Sequence, residues 1–192
     1  MPRPKTRSDE SVLDAALAFM HERGIEQLSF AAVAERCGLS PATLVQRFGT
    51  KQQLRLRVLL RAWDHLDTQT AALAASAPKT PDGAIGLLIG LSGGFGSIDN
   101  YADSLLLLRE DLRDPVLRRR GAHWEGELVA ALAACFGKDA PPQLGHALAS
   151  HWQGAMTWWA FRPDRPIEDY LRESLTGFLA MLGIPAPPTM RR

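Results

Sequence analysis

Cysteine is scarce in this chain of 192 residues. Cys37 and Cys135 stand far apart, with no CxxC and no Cys/His spacing suited to zinc. That pattern fits a reducing compartment and gives no disulfide framework. Long apolar runs are also missing: nothing approaches the ~18 uninterrupted residues that a membrane-crossing helix needs. The opening MPRPKTRSDESVLDAALAFM carries charges but no apolar stretch followed by a small-residue cleavage site. No signal peptide is therefore expected, and a cytoplasmic location is. An excess of one charge is lacking too, the net value being only +1. Missing as well are a nucleophile–base pair, a cofactor loop and a metal cluster. The glycine-rich GLSGGFG of residues 90–96 has neither a preceding strand nor a GK[ST] ending. His146 and His151, five apart, do not share a helix face, and His123 adds no ligand pattern. No enzyme activity, cofactor or metal is predicted.

What the chain does contain is helical periodicity nearly throughout. Val12, Leu13, Ala16, Leu17, Phe19 and Met20 form one broad apolar face before Gly24. Leu54-Arg55-Leu56-Arg57-Val58 alternates like a strand. Helical spacing nevertheless resumes at Leu59, Trp63, Leu66, Thr70 and Leu73, so a helix from Thr50 to about Ala75 is predicted. Further helices are expected near 82–96, 99–113, 115–136, 141–161 and 167–182. The fold class is all-α, with about nine helices. Residues 1–50 are expected to form a helix-turn-helix domain, and 51–192 a larger helical ligand-binding and dimerisation domain.

Charge is distributed unevenly. Residues 1–61 hold ten Lys/Arg against six Asp/Glu, a local +4, which leaves −3 for the remainder. A polyanion is therefore expected at the N-terminal third. Arg3, Lys5 and Arg7 could reach phosphates or a minor groove, or could simply be a solvated chain end.

The segment SFAAVAERCGLSPATLVQRFGTK carries the argument. Ser29 can cap a short helix that buries Phe30, Val33 and Cys37. Gly38 then supplies a turn free of Cβ strain. Ser40 caps the next helix and Pro41 opens it, where a missing N–H costs nothing. Leu44 and Phe48, four apart, make the buried side. Ala42, Thr43, Gln46 and Arg47 are left on the opposite side, small at the helix start and polar beyond it. Two short helices with this division form a helix-turn-helix, whose second helix can enter a major groove.

With its neighbours VLDAALAFMHERG and the long helix after FGTK, this stretch of about residues 10–60 resembles the DNA-binding domain of the tetracycline-repressor-like (TetR) family. The resemblance implies a ligand-responsive repressor, homodimeric through its last two helices, that binds double-stranded DNA at a palindromic operator. Ser29, Ser40, Pro41, Ala42, Thr43, Gln46 and Arg47 then fall at DNA-contacting positions, and Lys51 at a phosphate contact. The chain departs from the family pattern at Val45, where an aromatic is usual. It departs again at Gln46 and Arg47, where Tyr or His is common. Gln46 could pair with adenine, and Arg47 could meet a phosphate or a guanine edge.

In the remainder, Leu148, Trp152, Ala155, Met156 and Trp159 form one stripe of the helix at 141–161. Leu144, His151 and Trp158 form a second. A helix apolar nearly all round is expected to face its own core on one side and a partner chain on the other. Leu171, Leu175, Phe178, Leu179 and Leu182 supply a matching face on the last helix. Trp63, Phe95 and Trp124 are candidates for lining an effector pocket, as are Trp152, Met156, Trp158 and Phe161. Such a pocket would suit a small hydrophobic or aromatic molecule. The alternatives are a second domain that binds a protein partner, or an activator; a helical enzyme has least support. No membrane association is expected.

Overall fold

The computed structural model describes residues 7–95, 97–138 and 140–185. Among the described residues it contains nine α-helices, two short 3-10 turns and no strand. The helices are α1 (Asp9–Arg23), α2 (Phe30–Cys37), α3 (Pro41–Phe48), α4 (Lys51–Ser76), α5 (Pro81–Ser92), α6 (Ile98–Arg113), α7 (Pro115–Ala133), α8 (Leu144–Phe161) and α9 (Ile167–Met181). The alternating stretch 54–58 is helical. Leu54, Val58 and Leu59 are buried while Leu56 is only partly so, which is a helix face and not a strand face.

Three expected helices are shorter. The helix anticipated to reach residue 96 ends at Ser92 and continues as a 3-10 turn, because consecutive glycines leave no side-chain packing to hold the α ladder. That anticipated to reach 136 stops at Ala133. The helix expected from 141 starts at Leu144; Pro141 and Pro142 in succession disfavour the α conformation before it.

The chain divides into two compact units, one ending at Leu66 and including Asp103–Gly121, the other made of Asp67–Ala102 and the residues from Ala122 onward.

In the first unit, Val12, Ala16 and Met20 of α1 meet Val33 and Cys37 of α2, Leu44 and Phe48 of α3, and Leu54 and Val58 of α4. Leu117 of α7 joins this cluster. The helix ends are closed by side chains: Ser8, Ser29 and Ser40 accept hydrogen bonds from the N–H groups of Ser11, Ala32 and Thr43. Each such cap contributes about 1 kcal/mol.

In the second unit α9 packs on α8 and α5. Leu88, Leu148, Leu171, Leu175 and Leu179 are fully or almost fully buried there. Gly145 lets α8 approach α7 closely, since a Cβ at that position would lie 2.6 Å from the Val129 carbonyl oxygen. No helix among the described residues is long and apolar enough to cross a membrane.

Candidate nucleic-acid interface

The reading surface is built from the turn outward. Gly38 ends α2 with φ +66°, in the left-handed region, where glycine pays no Cβ penalty. The reversal is tied by the Leu39 N–H, which donates to the Ala34 carbonyl at 3.0 Å. Ser40 then caps α3 through Thr43 N–H at 3.1 Å, and its hydroxyl also shares a 2.8 Å hydrogen bond with the Thr43 hydroxyl. Leu44 and Phe48 are sunk into the core. Opposite them, Pro41, Ala42, Val45 and Gln46 are exposed. These residues recur at helical spacing and form one continuous edge. Thr43 is half-buried beside it, and Ser29 is half-buried as the cap of the supporting helix.

A second cap places the next residue of interest. Thr50 Oγ1 accepts from Gln53 N–H at 3.1 Å, while Gln53 Oε1 accepts from Thr50 N–H at 2.8 Å. This reciprocal pair fixes the start of α4. Lys51, the first residue of that helix, is exposed, and among the described residues it enters no ion pair.

Val45 is the residue that the sequence argument undervalued. It is 47% exposed and sits within the reading edge, three residues from Ala42 and four from Pro41. The signal was present in that spacing, but an apolar side chain without a donor was set aside as a departure from the pattern.

Arg47 requires a correction. The sequence placed it on the exposed side of α3 with Gln46, yet only 19% of its side chain is accessible. Its Nε donates to Asp9 Oδ1 at 2.7 Å and its Nη2 to the Arg7 carbonyl at 2.9 Å, with a second Nη2 bond to Asp9. Asp9 holds Arg57 as well, through Nη2 at 3.1 Å. Arg57 in turn lies over the Phe48 ring at 4.7 Å. Arg47, ahead of Arg57, keeps the Asp9 carboxyl below its ordinary pKa.

The same pattern recurs across the unit. Arg61 forks onto Asp14 at 2.7 and 3.1 Å, and His65 adds a 2.8 Å contact. Arg61 chiefly, with His65, lowers the Asp14 pKa to about 2. Arg55 pairs with Glu110 at 2.8 Å, and Arg36 pairs with Glu22. Much of the positive charge counted in the sequence is thus neutralised locally, and the excess of +4 overstates what a polyanion would meet. Arg3 and Lys5 lie outside the described residues.

The seven candidate pocket residues are divided between the two units. Trp63 belongs to the first unit, where its indole N–H donates to Asp111 Oδ1 at 3.1 Å. In the second unit Trp124 donates to Thr70 Oγ1 at 2.9 Å, and Trp152 to Ser92 Oγ at 2.8 Å. Met156 Sδ lies 3.7 Å from the same Ser92 hydroxyl. The side chain of Phe95 lies outside what the structure describes.

Trp158 and Phe161 lie apart from the packed tryptophans. They are 68% and 74% exposed, with ring centroids 5.9 Å apart. They protrude because α8 already buries Trp152, Ala155, Met156 and Trp159 on its other side. Trp158 instead borders an open cavity of about 510 Å³ with Arg162, Asp164, Arg165 and Tyr170. His151 is half-buried, stacked on Phe178 at 4.4 Å and bonded to Ser174 Oγ at 3.0 Å. Both cysteines are buried and free, and among the described residues no cluster of side chains could hold a metal ion.

Comparison with known proteins bears on this geometry. Residues 12–58 match the family described as bacterial regulatory proteins, tetR family. The HTH-type transcriptional repressor KstR of Mycolicibacterium smegmatis is 38% identical over 69 residues, which are 35% of this chain and 34% of that protein. The match thus spans about a third of that relative's length. Among solved structures, the multidrug binding protein EbrR in complex with proflavin is 26% identical, with a TM-score of 0.60 over 86% of this chain and 96% of its own. A transcriptional regulator from Saccharomonospora viridis in complex with choline gives a TM-score of 0.65 at 19% identity, covering 88% and 93%. SCO7518 from Streptomyces coelicolor A3(2), also a transcriptional regulator, gives 0.65 at 20% identity, covering 85% and 93%. The last two likenesses concern the fold.

Proposed function

We propose that the chain, whose residues 12–58 match the tetR family of bacterial regulatory proteins, is a TetR-like cytoplasmic repressor. It binds an inverted-repeat operator in double-stranded DNA as a homodimer, and a small effector releases it. The observation that carries this reading is the exposed edge of α3 (Pro41, Ala42, Val45 and Gln46) beyond a fully buried Leu44 and Phe48. Small residues at the start of the helix allow close entry into a major groove. Gln46 can pair bidentately with adenine, and Val45 can rest on a thymine methyl. Ser40 and Thr43 orient the first turn and can donate to phosphate. Lys51 meets a phosphate, and Ser29 supports the helix behind. Arg47, assigned to the contact set by resemblance, reaches DNA only if Asp9 lets it go. We assign the DNA-binding domain to residues 1–50 and the effector-binding and dimerisation domain to 51–192.

The homodimer rests on α8 and α9. These helices follow one another across the short turn 162–166 and pack together. Trp158 and Phe161 are exposed at one end, and Met181 and Leu182, 78% and 51% exposed, at the other. Between them a Cβ at Gly154 or Gly177 would meet nothing within 4 Å. Bulky ends and a slim middle suit two copies that cross at the glycines and interlock their ends about a two-fold axis.

EbrR with proflavin and the choline-bound regulator support an effector that is a small organic molecule. A hydrophobic or aromatic effector would suit the tryptophans of the second unit, and binding would require the packed Trp124 and Trp152 to give way. The response is carried by α4, whose first residue is Lys51, so that a change in its pose alters the spacing of the two α3 helices.

The testing experiment is selection of genomic fragments by the purified protein, followed by footprinting at two salt concentrations. Enrichment of a short inverted repeat protected on both halves, with steep salt dependence, is the expected result. Ligand-stripped protein that enriches no sequence would refute the reading.

A further inference from the structure

A DNA reader gains little from loose cations. Phosphate contacts carry no base information, so a surface arginine strengthens every duplex alike and narrows the margin over competing genomic sites. The end of α3 and the start of α4 hold two arginines, Arg47 and Arg57, close to the reading edge. Arg47 directly follows exposed Gln46 and precedes exposed Lys51 by four residues. Neither guanidinium is loose. Both converge on one carboxylate, Asp9, whose Oδ1 takes Arg47 and whose Oδ2 takes Arg57. Arg47 is bound further by the Arg7 carbonyl. The Phe48 ring lies beneath both, 5.6 Å from Arg47 and 4.7 Å from Arg57.

The arrangement is more than helix packing would need. The α1–α3–α4 core is already closed by Val12, Ala16, Leu44, Phe48 and Val58, all at most 3% exposed. Among the described residues Arg47 Nη1 is moreover buried without a hydrogen-bond partner, and leaving such a bond unmade is costly. A side chain that left for solvent would recover it, so the charged partner Asp9, ahead of the Arg7 carbonyl and the Phe48 ring, holds Arg47 in place.

We propose that Asp9 is a specificity-determining residue: it withholds Arg47 and Arg57 from the phosphate backbone and so keeps sequence-independent binding low. The inference rests on the DNA-binding reading given above. It assigns to the first turn of α1 a role in discrimination without contact to any base.

The test compares wild type with Asp9→Asn and Asp9→Ala on a random-sequence 24-base-pair duplex, by fluorescence anisotropy over a series of salt concentrations, with a thermal melt of each protein. Each newly engaged phosphate steepens the slope of log K against log salt by about 0.9. Asp9→Ala is expected to steepen it by about one to two and to bind the random duplex more tightly than wild type. Adding Arg47→Gln and Arg57→Gln to Asp9→Ala restores the wild-type slope or a shallower one. With Asp9 intact, Arg47→Gln alone leaves the slope unchanged. An unaltered slope in Asp9→Ala overturns the proposal, as does weaker binding that merely tracks a lower melting temperature. Should Asp9→Ala fail to fold, the Arg47→Gln result decides, since a slope shallower by about one means that Arg47 touches phosphate in the wild-type complex. Wild type that binds no duplex at all refutes the DNA-binding reading itself, a result distinct from those.

Discussion

Trp63 on α4 donates its indole N–H to Asp111 on α6 across 3.1 Å, and that carboxyl is pushed up to about 6. Burial is the main cause. Neighbouring Glu110 adds to it, and the Trp63 hydrogen bond opposes it without cancelling it. A folded pKa above the unfolded value means that the native state holds a proton the unfolded state has already lost. The stabilising contribution is therefore complete below about pH 4 and is lost as pH rises through 6. Asp111→Asn keeps an acceptor for the indole and removes the charge. At pH 7.5 the variant is expected to be more stable than wild type by on the order of 1–2 kcal/mol. The difference should vanish at pH 4. Urea unfolding at both values checks it; equal stability at pH 7.5 would show that the ionised carboxylate is well solvated.

Asp14 has the opposite sign. Arg61 first, then His65, lowers its pKa to about 2, so its contribution is present above about pH 4 and is lost as pH falls toward 2. Asp14→Asn is expected to flatten the acid limb of the stability profile in that window. Melting temperatures of the two proteins between pH 2.5 and 5 should converge toward the acid end. Parallel profiles would contradict the assignment.

Gln46 and Val45 are expected to read neighbouring bases in the operator. Gln46→Ala should cost about 1–3 kcal/mol of operator affinity and relax the preference at one base pair, leaving random-duplex binding as it was. Val45→Ala should weaken preference for thymine at one position only. Selection of random sequences by each variant measures both; loss of affinity spread evenly over all sequences would place these side chains on the backbone instead.

Lys51→Ala should weaken binding to every sequence, with a slope against log salt shallower by about one. Lys51 is exposed at the first residue of α4, and its removal leaves the Thr50–Gln53 cap in place. Anisotropy titrations on a random duplex at several salt concentrations read the slope directly. A slope equal to that of wild type would mean that Lys51 contacts no phosphate.

How much of this was legible beforehand follows the range of the interactions involved. Ser29, Gly38, Ser40 and Pro41 act within three or four residues, so their caps and turn could be read from the string. Leu44 and Phe48 were found by periodicity, which is also local. The fate of Arg47 was not legible, because its partner Asp9 lies 38 positions earlier; charge counted along the chain cannot show which cations are already paired. The exposure of Trp158 and Phe161 was not legible for another reason. A helix apolar nearly all round declares that both sides want burial, but not which side the chain itself will bury. The structure gives Trp152, Met156 and Trp159 to the core and leaves Trp158 and Phe161 outside.

That exposed side allows a test in which stability and assembly move in opposite directions. Gly154 sits in the interior of α8, where glycine costs a helix about 1 kcal/mol relative to a better helix former. Its Cβ position is open within the chain. Gly154→Leu should therefore hold or raise the stability of the isolated chain. In the proposed dimer the same position is where two copies of α8 cross, and a leucine there forces them apart. Trp158→Ala removes an aromatic anchor from the same face, where its ring would interlock with the partner copy. Sedimentation velocity at micromolar concentration should show wild type as a dimer, with Gly154→Leu and Trp158→Ala shifted toward monomer. Both variants should retain far-UV circular dichroism, and both should lose affinity for a two-half-site operator far more than for a single half-site. A Gly154→Leu protein that stays dimeric would move the interface away from α8, and the exposed Trp158–Phe161 pair would then need a different partner.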